Sequence, residues 1–192
     1  MLLAPLALAA CGSGEQAASS AERPPLEGAA IGGPFTLVDK DGETVTWNDF
    51  KRRYRIVYFG YTFCPDACPL DMQALMQGFA QFEKASPQRA AKVQPLFITI
   101  DPERDTPEQI KTYLSNEVFP KGTIGLTGTP EQVAAAAKAY RVYYKKNGEG
   151  SDYLVDHSTP AYLMNPKGQF DRVLPYGISP EETTRQIADA MR

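Results

Sequence analysis

The chain has 192 residues, 43% of them hydrophobic and 22% charged, with a formal net charge of −3. That length suffices for one domain with a full core. The lack of a large basic block argues against nucleic acid as a partner. Three cysteines and one histidine also restrict metal chemistry. A closed four-ligand zinc site would need all of them, with one ligand from the extreme N-terminus. The short basic run Lys51-Arg52-Arg53 with Arg55 reads as a solvated surface.

Residues Leu2 to Ala10 are small and apolar and end in Leu8-Ala9-Ala10-Cys11, the tail of an export signal. The run resembles the lipobox of bacterial lipoproteins, in which cleavage precedes the cysteine and lipid is attached to its sulfur. On this reading residues 1–10 are a signal remnant. Residues 11–30 are then a lipidated Cys11 and a tether, which also accounts for the odd thiol in an oxidising compartment. Gly12 to Ala30 is rich in Gly, Ala, Ser, Glu and Pro and cannot bury much apolar surface. A flexible chain of that length spans about 25 Å.

The domain is expected over residues 31–192. Phe35 to Val38 and Thr44 to Thr46 flank Asp39-Lys-Asp-Gly42, a hairpin whose turn takes its positive φ from Gly42. Trp47 is expected to pack beneath it. Arg55 to Gly60 reads as a buried strand, and Asp71 to Lys84 as a helix with Leu75, Phe79 and Phe82 on one face. Val93 to Ile100 is the next strand. Thr106-Pro-Glu-Gln109 and Thr129-Pro-Glu-Gln132 each read as an N-cap, a proline at the first helical position and a capping-box glutamine. The first helix runs to about Asn116. A short strand, Thr123 to Leu126, precedes the second, which continues to Tyr140. Lys145 to Asp152 reads as a polar loop. Ala161 to Met164 and Phe170 to Leu174 are strands about the turn Asn165-Pro-Lys-Gly168, and Pro180 to Met191 is a closing helix.

Strand–helix alternation of this kind predicts a mostly parallel central sheet with helices on both faces and antiparallel strands added by the final hairpin. The chemistry-bearing stretch is Phe59-Gly-Tyr-Thr-Phe-Cys64-Pro-Asp-Ala-Cys68-Pro69, where a buried strand hands over to a helix. Helix N-termini favour thiolates. Pro69 fits the first helical turn, and a spacing of four lets one turn of chain bring both sulfurs to one side. Such a pair can close a disulfide or grip one soft metal ion. A dicysteine at the end of the first long strand suggests an α/β, thioredoxin-like fold, with the site at the carboxyl ends of the strands.

Three stretches then resemble the Sco/SenC family. Tyr58 to Pro69 is similar to its copper motif, and Thr99-Ile-Asp-Pro-Glu-Arg-Asp-Thr106 to its second signature. Asp156-His-Ser158 with Tyr162-Leu163 is similar to the third, which carries a histidine ligand. The resemblance implies a membrane-tethered, thioredoxin-like protein with a central mixed sheet, flanking helices and an N-terminal β-hairpin. It implies that Cys64, Cys68 and His157 hold copper, as Cu(I) or Cu(II), and that the protein helps to build the CuA centre of cytochrome c oxidase. The implied partners are the CuA-bearing oxidase subunit, other copper chaperones or a thiol reductant, and a membrane reached through lipid on Cys11. The implied location is the periplasmic side of a bacterial cell envelope. Some family members are also proposed to be thiol–disulfide reductases, which would make Cys64 and Cys68 a redox-active pair.

The chemistry fits that implication. Two thiolates suit Cu(I) and an imidazole is comfortable with Cu(II). His157 stands 89 positions beyond Cys68 and supplies the third ligand that a bare dithiol lacks. Asp156 is either a hydrogen-bonding partner that orients the imidazole or an ordinary loop acid. Asp66 tunes charge or partner contact. Asp101 and Asp105 read as loop and helix-start residues rather than as an acid–base pair. Pro160 stands near the place of the cis-proline of thioredoxin-type redox enzymes, one residue late. Delivery of copper and thiol–disulfide exchange both remain open. A structural disulfide closing five residues would stabilise little, and a peroxidase would need a cation that the dicysteine loop itself does not contain.

Overall fold

A computed structural model of the protein describes Leu26, residues 29–65 and residues 67–192, without the side chains of Ala67 and Cys68. The expected signal remnant, lipidated Cys11 and most of the tether lie outside the described residues, as does Asp66. Among the described residues no helix is long and apolar enough to cross a membrane.

The N-terminal hairpin forms as the sequence predicts, from β1 (Thr36–Asp39) and β2 (Thr44–Thr46). Gly42 takes φ +81° in the turn. A 3₁₀ turn, Trp47–Phe50, leads to β3 (Tyr54–Gly60). Helix α1 (Ala67–Ala85) begins four residues before the expected Asp71, so Cys68 is its second residue. A short α2 (Pro87–Ala90) precedes β4 (Val93–Thr99). Then come α3 (Pro107–Leu114), β5 (Ile124–Thr127) and α4 (Pro130–Ala139). Of the stretch expected to be a polar loop, Lys145 to Asp152, the first three residues belong to β6 (Tyr144–Asn147) and the rest turn the chain into β7 (Leu154–His157), so the loop is the tip of a hairpin. Strands β8 (Ala161–Met164) and β9 (Phe170–Leu174) and helix α5 (Pro180–Ala190) close the chain.

Among the described residues seven strands form one sheet in the order β2-β1-β5-β4-β3-β8-β9, and β6 and β7 pair apart from it. The sheet is more mixed than the alternation predicts. Only the β3–β4 and β4–β5 pairings are parallel, and the four others are antiparallel. The fold is thioredoxin-like.

The period-2 alternation of strands divides the core in two. Ile56 and Tyr58 of β3 with Phe97 of β4 meet α1, α3 and α5 on one face. Val57, Phe59, Leu96 and Ile98 meet α4 and Tyr140 on the other. Gly78 is required in α1, because a Cβ there would stand 2.6 Å from the Pro180 carbonyl oxygen at the start of α5.

One basic residue departs from expectation. Arg55 is not a surface cation but is 1% exposed. It stacks 4.0 Å from the Trp47 ring and donates to the carbonyls of Phe50 (2.5 Å) and Asn165 (3.1 Å). Burial lowers its pKa. Its position inside the alternation of β3 decides this, since the strand is covered on both faces.

Candidate metal centre

The loop after β3 is anchored before it reaches the first cysteine. Asp105, fully buried, accepts from the Thr62 amide (3.0 Å), the Thr62 hydroxyl (2.7 Å) and the Thr99 hydroxyl (2.6 Å). Thr62 in turn accepts from Gln109 Nε2 at 3.0 Å. That bond corrects the capping-box reading at α3. Thr106 caps the helix by accepting from the Gln109 amide, but its own amide is satisfied by the Arg104 carbonyl, so the glutamine side chain is spent on the loop. At α4 the box is complete, with Thr129 and Gln132 bonded reciprocally. Burial pushes the Asp105 carboxyl upward, against the hydrogen bonds from Thr62 and Thr99.

Cys64 follows this anchor, half-buried and packed against the α4-side core. Its amide donates to the Tyr61 carbonyl at 3.3 Å. Cys68 stands in the first turn of α1, three positions before Asp71. Asp71 is 5% exposed and accepts from the Gly177 amide at 3.0 Å. Burial raises its pKa, opposed by that bond and by the charge of His157.

His157 ends β7. Tyr61, buried beside Cys64 in sequence, meets the imidazole edge-on with ring centroids 6.0 Å apart. Its hydroxyl accepts from the Val155 amide at 3.3 Å. One side chain of the cysteine loop thus touches the strand that presents the histidine. His157 Nδ1 lies 2.8 Å from the Ser158 carbonyl oxygen. A carbonyl only accepts, so Nδ1 carries the proton in this bond and Nε2 of the neutral ring keeps a lone pair for a metal. Asp156 does not orient the imidazole through that nitrogen. Its carboxylate accepts from Asn147 Nδ2 across the hairpin, because neighbouring residues of a strand point to opposite faces.

Sequence reasoning missed Tyr61, Thr62 and Gln109 as supports, and it missed the hairpin. Val142-Tyr-Tyr144 and Leu154-Val155 flanking Gly148-Glu-Gly150 were the available hairpin signal. Asp101 and Asp105 both anchor loops through hydrogen bonds, Asp105 to Thr62 and Thr99 and Asp101 to Arg104 and Tyr153. Thr159–Pro160 is trans, since no cis peptide bond occurs among the described residues.

Residues 23–192 match the family model SCO1/SenC. The chain belongs to the SCO1/SenC family. It is 47% identical over 150 residues to "Protein SCO1 homolog 1, mitochondrial" of Arabidopsis thaliana, covering 78% of this chain and 43% of that protein. The chain spans about half the length of the first curated SCO relatives it matches. Among solved structures it resembles Arabidopsis thaliana ScoI with copper bound, with a TM-score of 0.78 and 41% identity, over 85% of this chain and 99% of that one. It also resembles BsSco, in which a disulfide switch was identified and which is described as a member of the Sco family of cytochrome c oxidase assembly proteins. There the TM-score is 0.67 and the identity 25%, over 85% and 93% of the chains.

Proposed function

We propose that this SCO1/SenC protein binds copper through Cys64, Cys68 and His157 and delivers it to the CuA centre of cytochrome c oxidase during assembly. On this reading lipid on Cys11 tethers it to the periplasmic side of a bacterial membrane. Its partners are the CuA-bearing subunit and a copper donor or thiol reductant. The observation that carries the reading is Tyr61, which joins the loop of Cys64 to the strand of His157. Copper in a family structure 41% identical to this chain supports the choice of metal. Two thiolates with one imidazole fit both Cu(I) and Cu(II). The thiols must be reduced before metal can bind, and a loop at the carboxyl end of the interior strand β3 is a usual place for a ligand site in an α/β sheet.

A second reading follows from the same pair. As a thiol–disulfide reductase, one thiolate attacks a partner disulfide and the second resolves the mixed disulfide. The partner leaves with two thiols, and Cys64–Cys68 is left oxidised. The disulfide switch identified in BsSco favours keeping this reading.

The test is a copper titration of the reduced, anaerobic chain beside Cys64→Ser, Cys68→Ser and His157→Ala. Cu(I) affinity is read by chelator competition and Cu(II) by thiolate charge-transfer absorption. One copper per chain is expected, with tight binding lost in either cysteine variant. His157→Ala should change the Cu(II) spectrum, since the imidazole is the ligand suited to Cu(II). Weak binding by the unaltered chain, or an unchanged His157→Ala spectrum, would sink the copper reading. The reduction potential of the Cys64–Cys68 pair would then decide the second.

A further inference from the structure

The hairpin that carries His157 shares no strand pairing with the seven-stranded sheet. Strand β6 has no buried residue and β7 has one, Val155. An isolated two-stranded hairpin is marginal in water. A cavity of about 240 Å³, lined by Ile100, Asp101, Tyr144, Tyr153 and Val155 among others, opens between it and the body. The placement of His157 therefore depends on the few side chains that tie the hairpin down.

Arg104 gathers most of them. It sits in the loop between β4 and α3, with its side chain 16% exposed. Its Nε lies 2.6 Å from Asp101 Oδ2, and Nη1 donates to the Ser151 carbonyl at 3.0 Å. The guanidinium stands 3.6 Å from the ring centroid of Tyr153, which leads into β7. It stands 4.8 Å from Phe63 and 5.8 Å from Tyr61, both in the loop of Cys64. The Tyr153 hydroxyl donates to the other oxygen of Asp101 at 2.5 Å. Asp101 is itself linked to the cysteine loop, since its amide donates to Thr99 Oγ1 and Thr99 donates to Asp105, the anchor of Thr62. One cation thus touches aromatic rings from both halves of the candidate site, and one hydrogen-bonded chain runs beneath it.

We propose that Arg104 is a positioning residue, a latch that holds the His157 hairpin against the Cys64 loop and keeps the two donors in register. Its planar, many-donor fork meets Asp101, Ser151 and the ring faces together, which an ammonium on a flexible stem does not do. The copper consequence rests on the proposed metal site. The latch itself is a property of the metal-free protein.

The test uses the reduced, metal-free chain and amide hydrogen exchange of residues 144–157, with the amides of α5 as the control for global opening. In Arg104→Gln and Arg104→Lys, exchange in the hairpin should accelerate by about tenfold or more while α5 stays within about twofold. With copper added, the Cu(II) spectrum should shift toward that of His157→Ala, while Cu(I) affinity stays within about threefold because the thiolates are untouched. Hairpin exchange within about twofold of the unaltered chain in both variants would overturn the latch. If neither Arg104 variant folds, Tyr153→Leu decides. It removes the ring on which the guanidinium stacks and the bond to Asp101, so the hairpin should open several-fold faster, and an unchanged rate would overturn the proposal. Failure of the unaltered chain to bind copper overturns the metal site and leaves exchange to judge the latch.

Discussion

Strands β3 and β4 and strands β6 and β7 present the two halves of one candidate site by opposite means. The first pair shares a seven-rung parallel ladder, Tyr54↔Val93 to Gly60↔Thr99, and every residue of it but Tyr54 is buried. The second has four antiparallel rungs and a single buried position. The cysteine loop therefore grows out of the most constrained part of the molecule, while the histidine rides on an element whose own backbone supplies little stability. Local opening free energies follow buried contacts, so the geometry between the thiols and the imidazole is set by side chains rather than by the sheet. Such a division would suit the proposed copper site, which on that reading has to receive and release its metal.

The contrast can be broken most directly in the core. Ile98→Ala, at a fully buried position of β4, should cost about 3–4 kcal/mol in urea unfolding, with one cooperative transition. A cost no larger than that of a hairpin substitution would remove the distinction. Asp105→Ala should come next, at about 2–3 kcal/mol, because it leaves the Thr62 and Thr99 donors without an acceptor. The same carboxyl gives a pH signature. Its folded pKa is raised by burial, so the folded state holds that proton more tightly than the unfolded chain. Its contribution is full below the ordinary carboxylate range and is lost as pH rises through the raised value. Asp71 has the same sign, also through burial. Asp105→Asn should flatten that part of the stability–pH slope, and an unchanged slope would show that Asp105 does not produce it. The smallest effect is expected from Val155→Ala in β7. Global unfolding should change by about 1 kcal/mol or less, while exchange of the hairpin amides quickens by about tenfold. A large global loss would mean that the hairpin belongs to the cooperative core.

The elements whose identity rests on local pattern were legible. Asp39-Lys-Asp-Gly42, the apolar runs of β3 and β4, and the Thr-Pro-Glu-Gln helix starts each carry their own physical signal, and each forms. The hairpin of β6 and β7 carries only a weak local signal, at its flanks and its glycine turn. Lys145, Lys146 and Asn147 are exposed and polar, and a strand with no buried face shows no alternation. Arg55 misled for the converse reason, since a cation among cations reads as surface until the strand around it is covered by Trp47 and two carbonyl acceptors. Gln109 and Asp156 were read through near neighbours, whereas the structure bonds the first across the fold to Thr62 and the second across the hairpin to Asn147.

By itself the sequence determined the α/β character of the protein, the placing of Cys64 and Cys68 at a strand-to-helix handover, and His157 as the lone imidazole. These are matters of composition, periodicity and spacing, which neighbouring residues settle among themselves. Only the tertiary structure decided that Tyr61 would touch the strand of His157, that Asp105 would hold Thr62, and that Arg104 would bind two loops and a hairpin together. Those contacts join residues about 40 to 100 positions apart, and packing of the whole chain is what brings them within reach.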